Sequence, residues 1–313
     1  MLLPVTVEGT VALVKTLLTV LLVATCAPQD PPVTSADLVR QRPPAERIVA
    51  LETGEDVTEE ELLADLERGR VIYIGEVHDK AEDHAVQYRL MRLLYERHPS
   101  IAVGMEMFQY PYQPVLDDWT DGRLDETNLR RRSEWDRRWG FDYALYRPIL
   151  DWTRARAIPV LALNAPSEIT RTVASEGLEG LSEAQRSELP PLDMDNEAHR
   201  AMVFGALGEH THDGDDPVAL ERYYTAQVVW DETMAERVAE ALERSDAPSR
   251  LVVLAGVMHV RGGLGIPSRA SRRGATPYRV VLVAHDEEEL ESLMAAEPLP
   301  ADYAWLVGEA SDD

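Results

Sequence analysis

Short apolar runs alternate along this chain with longer stretches in which apolar residues recur every three or four positions. Residues 71–75 (VIYIG), 101–105 (IAVGM), 159–164 (PVLALN), 251–256 (LVVLAG) and 278–284 (YRVVLVA) are runs of strand length. Their apolar character reads as strands buried on both faces. Between the first two, Val86, Leu90, Leu93 and Leu94 form one stripe of a helix over 81–97. Thr58 and Glu61 are spaced as a capping box for a helix from 56 to 68. Residues 143–157 read as a helix interrupted or begun at Pro148, and 218–244 as a long helix. A helical middle broken near Pro190 and Pro191 separates the third strand from the long helix. Strands alternating with helices predict an α/β fold: a mostly parallel central sheet, helices on both faces and an inserted helical region.

The ends read differently. Residues 16–25 (TLLTVLLVAT) follow Lys15 without a charge and stop at Cys26. Ten uncharged residues are too few for a bilayer span and the right number for the core of a signal peptide. The run Val23-Ala24-Thr25-Cys26 resembles a bacterial lipobox, with Thr25 departing from the usual small residue before the cysteine. The expected organisation is a signal peptide with lipobox-like end over 1–26 and a proline-rich tether over 27–46. An α/β domain over 47–286 and an acidic C-terminal helix with a frayed tail over 287–313 complete it. Cys26 is the candidate lipidation site, implying export and a membrane anchor facing the periplasm or cell surface.

The 313 residues carry 56 acids against 31 bases, a net charge of −25. That balance argues against a nucleic-acid partner, because binding phosphates needs a basic footprint. A single cysteine leaves no intrachain disulfide framework and no Cys-based zinc site.

The polar residues gather where strands end. The first strand runs into Glu76 and His78, the second into Glu106, the third ends at Asn164, and the fourth runs into His259. In a parallel sheet those ends share the edge where open α/β sheets bind ligands. A lone histidine after a strand is ordinarily a hydrogen-bonded loop residue. Four strand ends carrying such groups instead predict one shared crevice. Glu76, His78, Glu106 and His259 form a set for a divalent metal or for acid–base work. Gln227 and Asp231, spaced i, i+4 on the long helix, read either as partners that orient the histidines or as a polar pair bridging helix and loop. Asn164 is assigned to the same orienting group. The segment His210 to Asp216, rich in histidine and aspartate, reads as an acidic surface loop. No G-x-S-x-G motif is present, which disfavours serine hydrolysis.

Ile74-Gly75-Glu76-Val77-His78-Asp79 with His84 and Gln87, Met105-Glu106-Met107-Phe108 with Gln113, and Tyr146-Arg147-Pro148 together resemble the ChaN-like haem-binding lipoprotein family. So do Asn164-Ala165-Pro166, Ala226-Gln227 with Asp231 and Met234-Ala235, and Ala255-Gly256-Val257-Met258-His259 followed by Gly265-Ile266-Pro267. That family belongs to a superfamily containing Tiki proteases and erythromycin-esterase-like proteins. The resemblance implies haem binding linked to iron uptake, a tyrosine on the haem iron, and a homodimer around stacked haems. Tyr146 is the first candidate ligand, with Arg147 expected to lower its phenol pKa. Tyr143, Tyr110 and Tyr112 compete with it, and His78 and His259 are further cofactor candidates. Met105, Met107, Phe108, Trp135 and Trp139 are candidate haem walls. Arg131, Arg132, Arg137 and Arg138 are candidate propionate partners, though 128–140 also reads as an amphipathic surface helix. The alternative function is a metal-dependent hydrolase of the Tiki-like type, built on the Glu/His cluster.

Overall fold

A computed structural model describes residues 45–208 and 216–308. Cys26, the signal-like run, the tether as far as 44, and His210, His212, Asp213 and Asp215 lie outside the described residues. No helix among the described residues is long and apolar enough to cross a membrane.

One eight-stranded sheet organises the chain. Its strands are β1 (Ala45–Ala50), β2 (Glu55–Asp56), β3 (Val71–Glu76), β4 (Ile101–Gln109), β5 (Val160–Asn164), β6 (Arg250–Gly256), β7 (Tyr278–Ala284) and β8 (Tyr303–Val307). The spatial order is β2-β1-β8-β7-β3-β6-β4-β5. Every pair from β8 to β5 is parallel, and only β1 runs antiparallel to its neighbours β2 and β8. Every residue of β3 and β4 is buried. This explains why these strands read as unbroken apolar runs without alternation.

Helices cover both faces. On one, α1 (Glu59–Leu66), α2 (Ala81–Arg97), α3 (Gln113–Thr120), α4 (Glu126–Arg132), α5 (Trp135–Arg138) and α6 (Tyr143–Ala155) pack on Ile72, Ile74, Val103 and Val252. On the other, α10 (Pro217–Glu243), α12 (Ile266–Arg272) and α13 (Glu287–Ala295) pack on Val71, Tyr73, Leu251 and Val253. Adjacent strand residues thus serve opposite layers, as the pleat requires. The inserted helices α7 (Ser167–Glu176), α8 (Glu183–Ser187) and α9 (Glu197–Gly208) follow β5, and α7 and α9 pack on α10. The short α11 (Val257–Val260) leaves β6 directly.

Besides β1 and β2, which fall on the end of the expected tether and the expected helix start and were not read as strands, three segments depart from the sequence pattern. The 128–140 stretch is two short helices rather than one. Ser133 donates its hydroxyl to Leu129 O and Glu134 takes a left-handed φ of 54°, so the chain turns and buries Trp135. Pro148 lies inside α6 without interrupting it. After α13 the described chain forms β8, which inserts between β1 and β7 with Trp305 and Leu306 buried, and residues 309–313 lie outside the described residues.

Candidate functional site

Strand register builds the site. Glu76 at the end of β3 lies level with Gly256 at the end of β6, and Met105 of β4 lies level with Leu254 of β6. Three adjacent parallel strands therefore deliver Glu76, Gly256 and Glu106 to one carboxyl edge. A cavity of about 440 Å³ opens there, and its lining includes Glu76, His78, Glu106, Asn164, Gln227 and His259. The four Glu and His residues expected at one crevice thus meet at one cavity, but they divide into two pairs.

The first pair is Glu76 with His78. Glu76 is 1 % exposed and accepts three donors: His78 Nδ1 at 2.8 Å, the Tyr146 hydroxyl at 2.6 Å and Gln87 Nε2 at 2.7 Å. Burial pushes the Glu76 carboxyl up, but the charges of His84 and His78 and the donated bonds hold it below the usual carboxylate range. Burial pushes the His78 imidazole down, and the Glu76 bond with the Glu106 charge more than offsets this, leaving it raised. With Nδ1 committed to Glu76, Nε2 is the ring nitrogen left to the cavity. The ring packs against Trp139 and Phe141 at centroid distances of 4.8 and 4.9 Å.

The second pair is Glu106 with His259. Glu106 Oε2 accepts the Gly256 N–H at 2.7 Å, and its Oε1 lies 3.3 Å from His259 Nε2. His259 Nδ1 donates to Asp231 at 2.6 Å, and the Gln227 amide sits 3.1 Å from the same nitrogen. His199 Nε2 lies 3.0 Å from the other Asp231 oxygen, at ion-pair range but outside hydrogen-bond angles. Burial pushes His259 down, yet the Glu106 and Asp231 charges carry it up to about 10. Burial pushes Glu106 up, and the His259 charge outweighs it and lowers the carboxyl to about 2. The edge therefore holds a fixed ion pair beside a histidine with one uncommitted nitrogen.

The remaining assignments differ from the expectations. Tyr146 is fully buried and is spent on Glu76. Arg147 pairs with Glu126 at 2.8 Å and does not lower the Tyr146 phenol. Burial and the Glu76 charge push that phenol well up. Tyr110 and Tyr112 donate to Glu188 and Glu134, and Tyr143 is buried. None of these four tyrosines lines the cavity. Met105, Met107, Phe108 and Trp135 belong to the core, whereas Trp139 is a wall of the cavity. Arg132 and Arg137 pair with Asp118 and Glu134, and Arg131 donates to Asn128. Arg138 alone of the four lines the cavity, although it is also paired with Glu168.

Gln227 and Asp231 both reach His259, but Asn164 orients no histidine. Its Oδ1 is buried without a hydrogen-bond partner in the cavity wall. Among the described residues no three His, Cys, Asp or Glu side chains are placed to hold a metal ion. Glu76, Glu106 and His259 are engaged with each pair's own partner and with Tyr146, Gln87, Gly256 and Asp231, and His78 keeps only Nε2 free of such a bond.

Sequence reading missed Tyr223, Arg171 and Trp230, which line the cavity from α10 and α7. Only their helical spacing relative to Gln227 and Ser167 marked them, and that spacing is common to any helix facing a neighbour. The apolar part of the lining comes from Trp139, Phe141, Val203, Leu207, Trp230 and Met258. Arg171 has no carboxylate partner among the described residues. A flat apolar ring system with carboxylates at its margin fits this composition: apolar walls, cationic Arg171 and Arg138, and a histidine nitrogen presented from a fixed ring.

The family described as "Haem-binding uptake, Tiki superfamily, ChaN" matches residues 62–270, about two thirds of the chain. ChaN of Campylobacter jejuni, solved for its cofacial haem binding, matches with a TM-score of 0.64 at 18 % identity. The match covers 82 % of this chain and 95 % of that one. An erythromycin esterase mutant in its open conformation matches with a TM-score of 0.45 at 15 % identity, covering 82 % and 81 %. The chloroplastic RETICULATA-RELATED 5 protein of Arabidopsis thaliana is 26 % identical over 257 residues. The aligned part is 75 % of this chain and 34 % of the plant protein, so the chain spans about a third of that relative's length.

Proposed function

The chain belongs to the haem-binding uptake family of the Tiki superfamily that includes ChaN, and on that premise we propose that it binds haem in the cavity at the carboxyl edge of β3, β6 and β4. The observation that carries the reading is His78: its Nδ1 is fixed on Glu76 while its ring lines an apolar cavity. When bound, haem would supply an iron that accepts a side-chain ligand. His78 Nε2 would be that ligand, with the Glu76 carboxylate orienting the ring and raising its basicity. Trp139, Phe141 and Trp230 would exclude water from the porphyrin faces, and Arg171 and Arg138 would meet propionates.

The same proposal extends to haem and iron uptake by an exported protein anchored through Cys26. The run ending Val23-Ala24-Thr25-Cys26 supports that part. The mass of the intact protein extracted from membranes tests it: an acylated Cys26 is expected, and an unmodified thiol removes the anchor. The cofacial haem binding of the Campylobacter jejuni neighbour supports a pairing of two chains around two haems.

Hemin titration tests the haem reading. The full chain is expected to give a saturable Soret shift, whose end point also reads the stoichiometry. His78→Ala is expected to weaken binding and change the spectrum, whereas Tyr146→Phe keeps the wild-type ligand-field bands. A wild-type spectrum in His78→Ala removes His78 from the iron.

A further inference from the structure

We infer that His285, at the far end of β7, is a positioning residue for His78, acting through Asp83 and the backbone of Val77. His285 Nε2 donates to Asp83 Oδ1 at 2.7 Å, and its Nδ1 donates to Glu289 Oε2 at 2.8 Å. Asp83 is 1 % exposed, and its second oxygen accepts the Val77 N–H at 2.6 Å. Val77 precedes His78, and the His78 carbonyl in turn accepts His84 Nε2 at 3.1 Å. The turn that presents the imidazole is thus tied to the start of α2 on both sides of His78. Asp83 supplies one tie and His84 the other.

The arrangement has a chemical logic. A carboxylate as buried as Asp83 needs a compensating charge, and no arginine or lysine pairs with it among the described residues. His285 provides that charge from a different part of the sheet. Burial pushes the Asp83 carboxyl up, and the His285 bond and charge pull against this without cancelling it, so the carboxyl stays raised. The Asp83 and Glu289 bonds raise His285 to about 10, so it is cationic at neutral pH. β7 neighbours β3, so the clasp joins the strand beside the one that carries Glu76 to the helix that carries Asp83, Gln87 and His84. A ring held to a productive geometry by its supporting contacts binds a ligand without first having to be ordered. Neither Asp83 nor His285 lines the cavity, so neither is a ligand-contacting group.

The inference deepens the haem reading, on which its ligand measurement rests; its backbone measurement stands without it. In the full chain, His285→Phe is expected to speed amide exchange at Val77 about tenfold. It is also expected to weaken hemin binding about tenfold or more. His285→Gln, whose amide still donates to Asp83, is expected to recover part of both. A His285→Phe protein that melts earlier but keeps wild-type exchange at Val77 and wild-type hemin binding overturns the inference and leaves the clasp a purely structural tie. Should His285→Phe fail to fold, Asp83→Ala, which removes the acceptor of the Val77 N–H, carries the test, and unchanged exchange at Val77 overturns the inference there too. If wild-type protein shows no Soret shift, the haem reading falls and the Val77 exchange comparison decides the clasp alone.

Discussion

Tyr146 and His78 show how a single side chain changes meaning once its neighbours are known. As a sequence, Tyr146-Arg147 offers an anionic oxygen beside a cation. In the fold the two point apart, Tyr146 into the core toward Glu76 and Arg147 toward Glu126. Adjacent helical residues face different directions, so adjacency in sequence was a poor guide to electrostatic partnership. Asn164 carries the opposite lesson, because strand position alone placed it at the edge, but only coordinates show its Oδ1 without a partner. An unsatisfied buried acceptor costs about 1 to 3 kcal/mol. Asn164→Leu is therefore expected to raise the unfolding free energy of ligand-free protein by about 1 to 3 kcal/mol, seen as a higher denaturation midpoint. A lower midpoint would mean that the amide has a partner in solution.

At the scale of elements, the site is a product of register. β3 and β6 pair from Val71↔Leu251 to Glu76↔Gly256, and a one-residue slip would turn Glu76 to the other face. Gly256 belongs to this design. A Cβ there would sit 2.8 Å from His78 Cε1 and 3.0 Å from its Nε2. The His78 ring cannot easily retreat, since Glu76 holds it at 2.8 Å. Gly256→Ala is expected to lower the melting temperature, because the methyl and the ring compete for the same space, and to cut hemin affinity about tenfold to a hundredfold. Wild-type affinity in that variant would show that the ring is free to move. The five buried strands β3 to β7 and the two long helices were legible as apolar runs and helical stripes, whereas β1 and β2 were not read. α2 runs over Ala81–Arg97 as the stripe predicts, and α1 carries the Thr58 and Glu61 box. The break between α4 and α5 was not legible, because Trp135 leaves the helical path to fill the core. β8 was hidden for a similar reason: its five residues follow an acidic helix and gain their meaning from β1 and β7 on either side.

The whole molecule sets the pH range in which the site holds together. Glu106 and Asp231 are both lowered to about 2 from ordinary values of 4.5 and 3.8. In each case burial opposes the shift and the His259 charge drives it. Their contribution to stability is present above those ordinary values and is lost as pH falls toward 2. His259 and His285 are raised to about 10 from 6.5. Burial opposes the His259 shift, and the Asp83 bond leads the His285 shift. Their contribution is complete below 6.5 and is lost as pH rises through 10. Denaturant midpoints are therefore expected to be highest between about 4.5 and 6.5 and to fall on both sides. His259→Gln is expected to flatten the alkaline limb. A midpoint that keeps rising from pH 7 to pH 10 would contradict the charged state of both imidazoles.

The sequence by itself determined the alternation of strands and helices, the buried character of the sheet, and the polar residues at the strand ends. Those are local properties, written in the period and type of consecutive residues. Pairing was decided by tertiary structure: Glu76 with His78 and Tyr146, Glu106 with His259 and Asp231, Asp83 with His285, and Asn164 with nothing. Each joins or separates groups brought together by strand order and register, which depend on how all the layers pack at once.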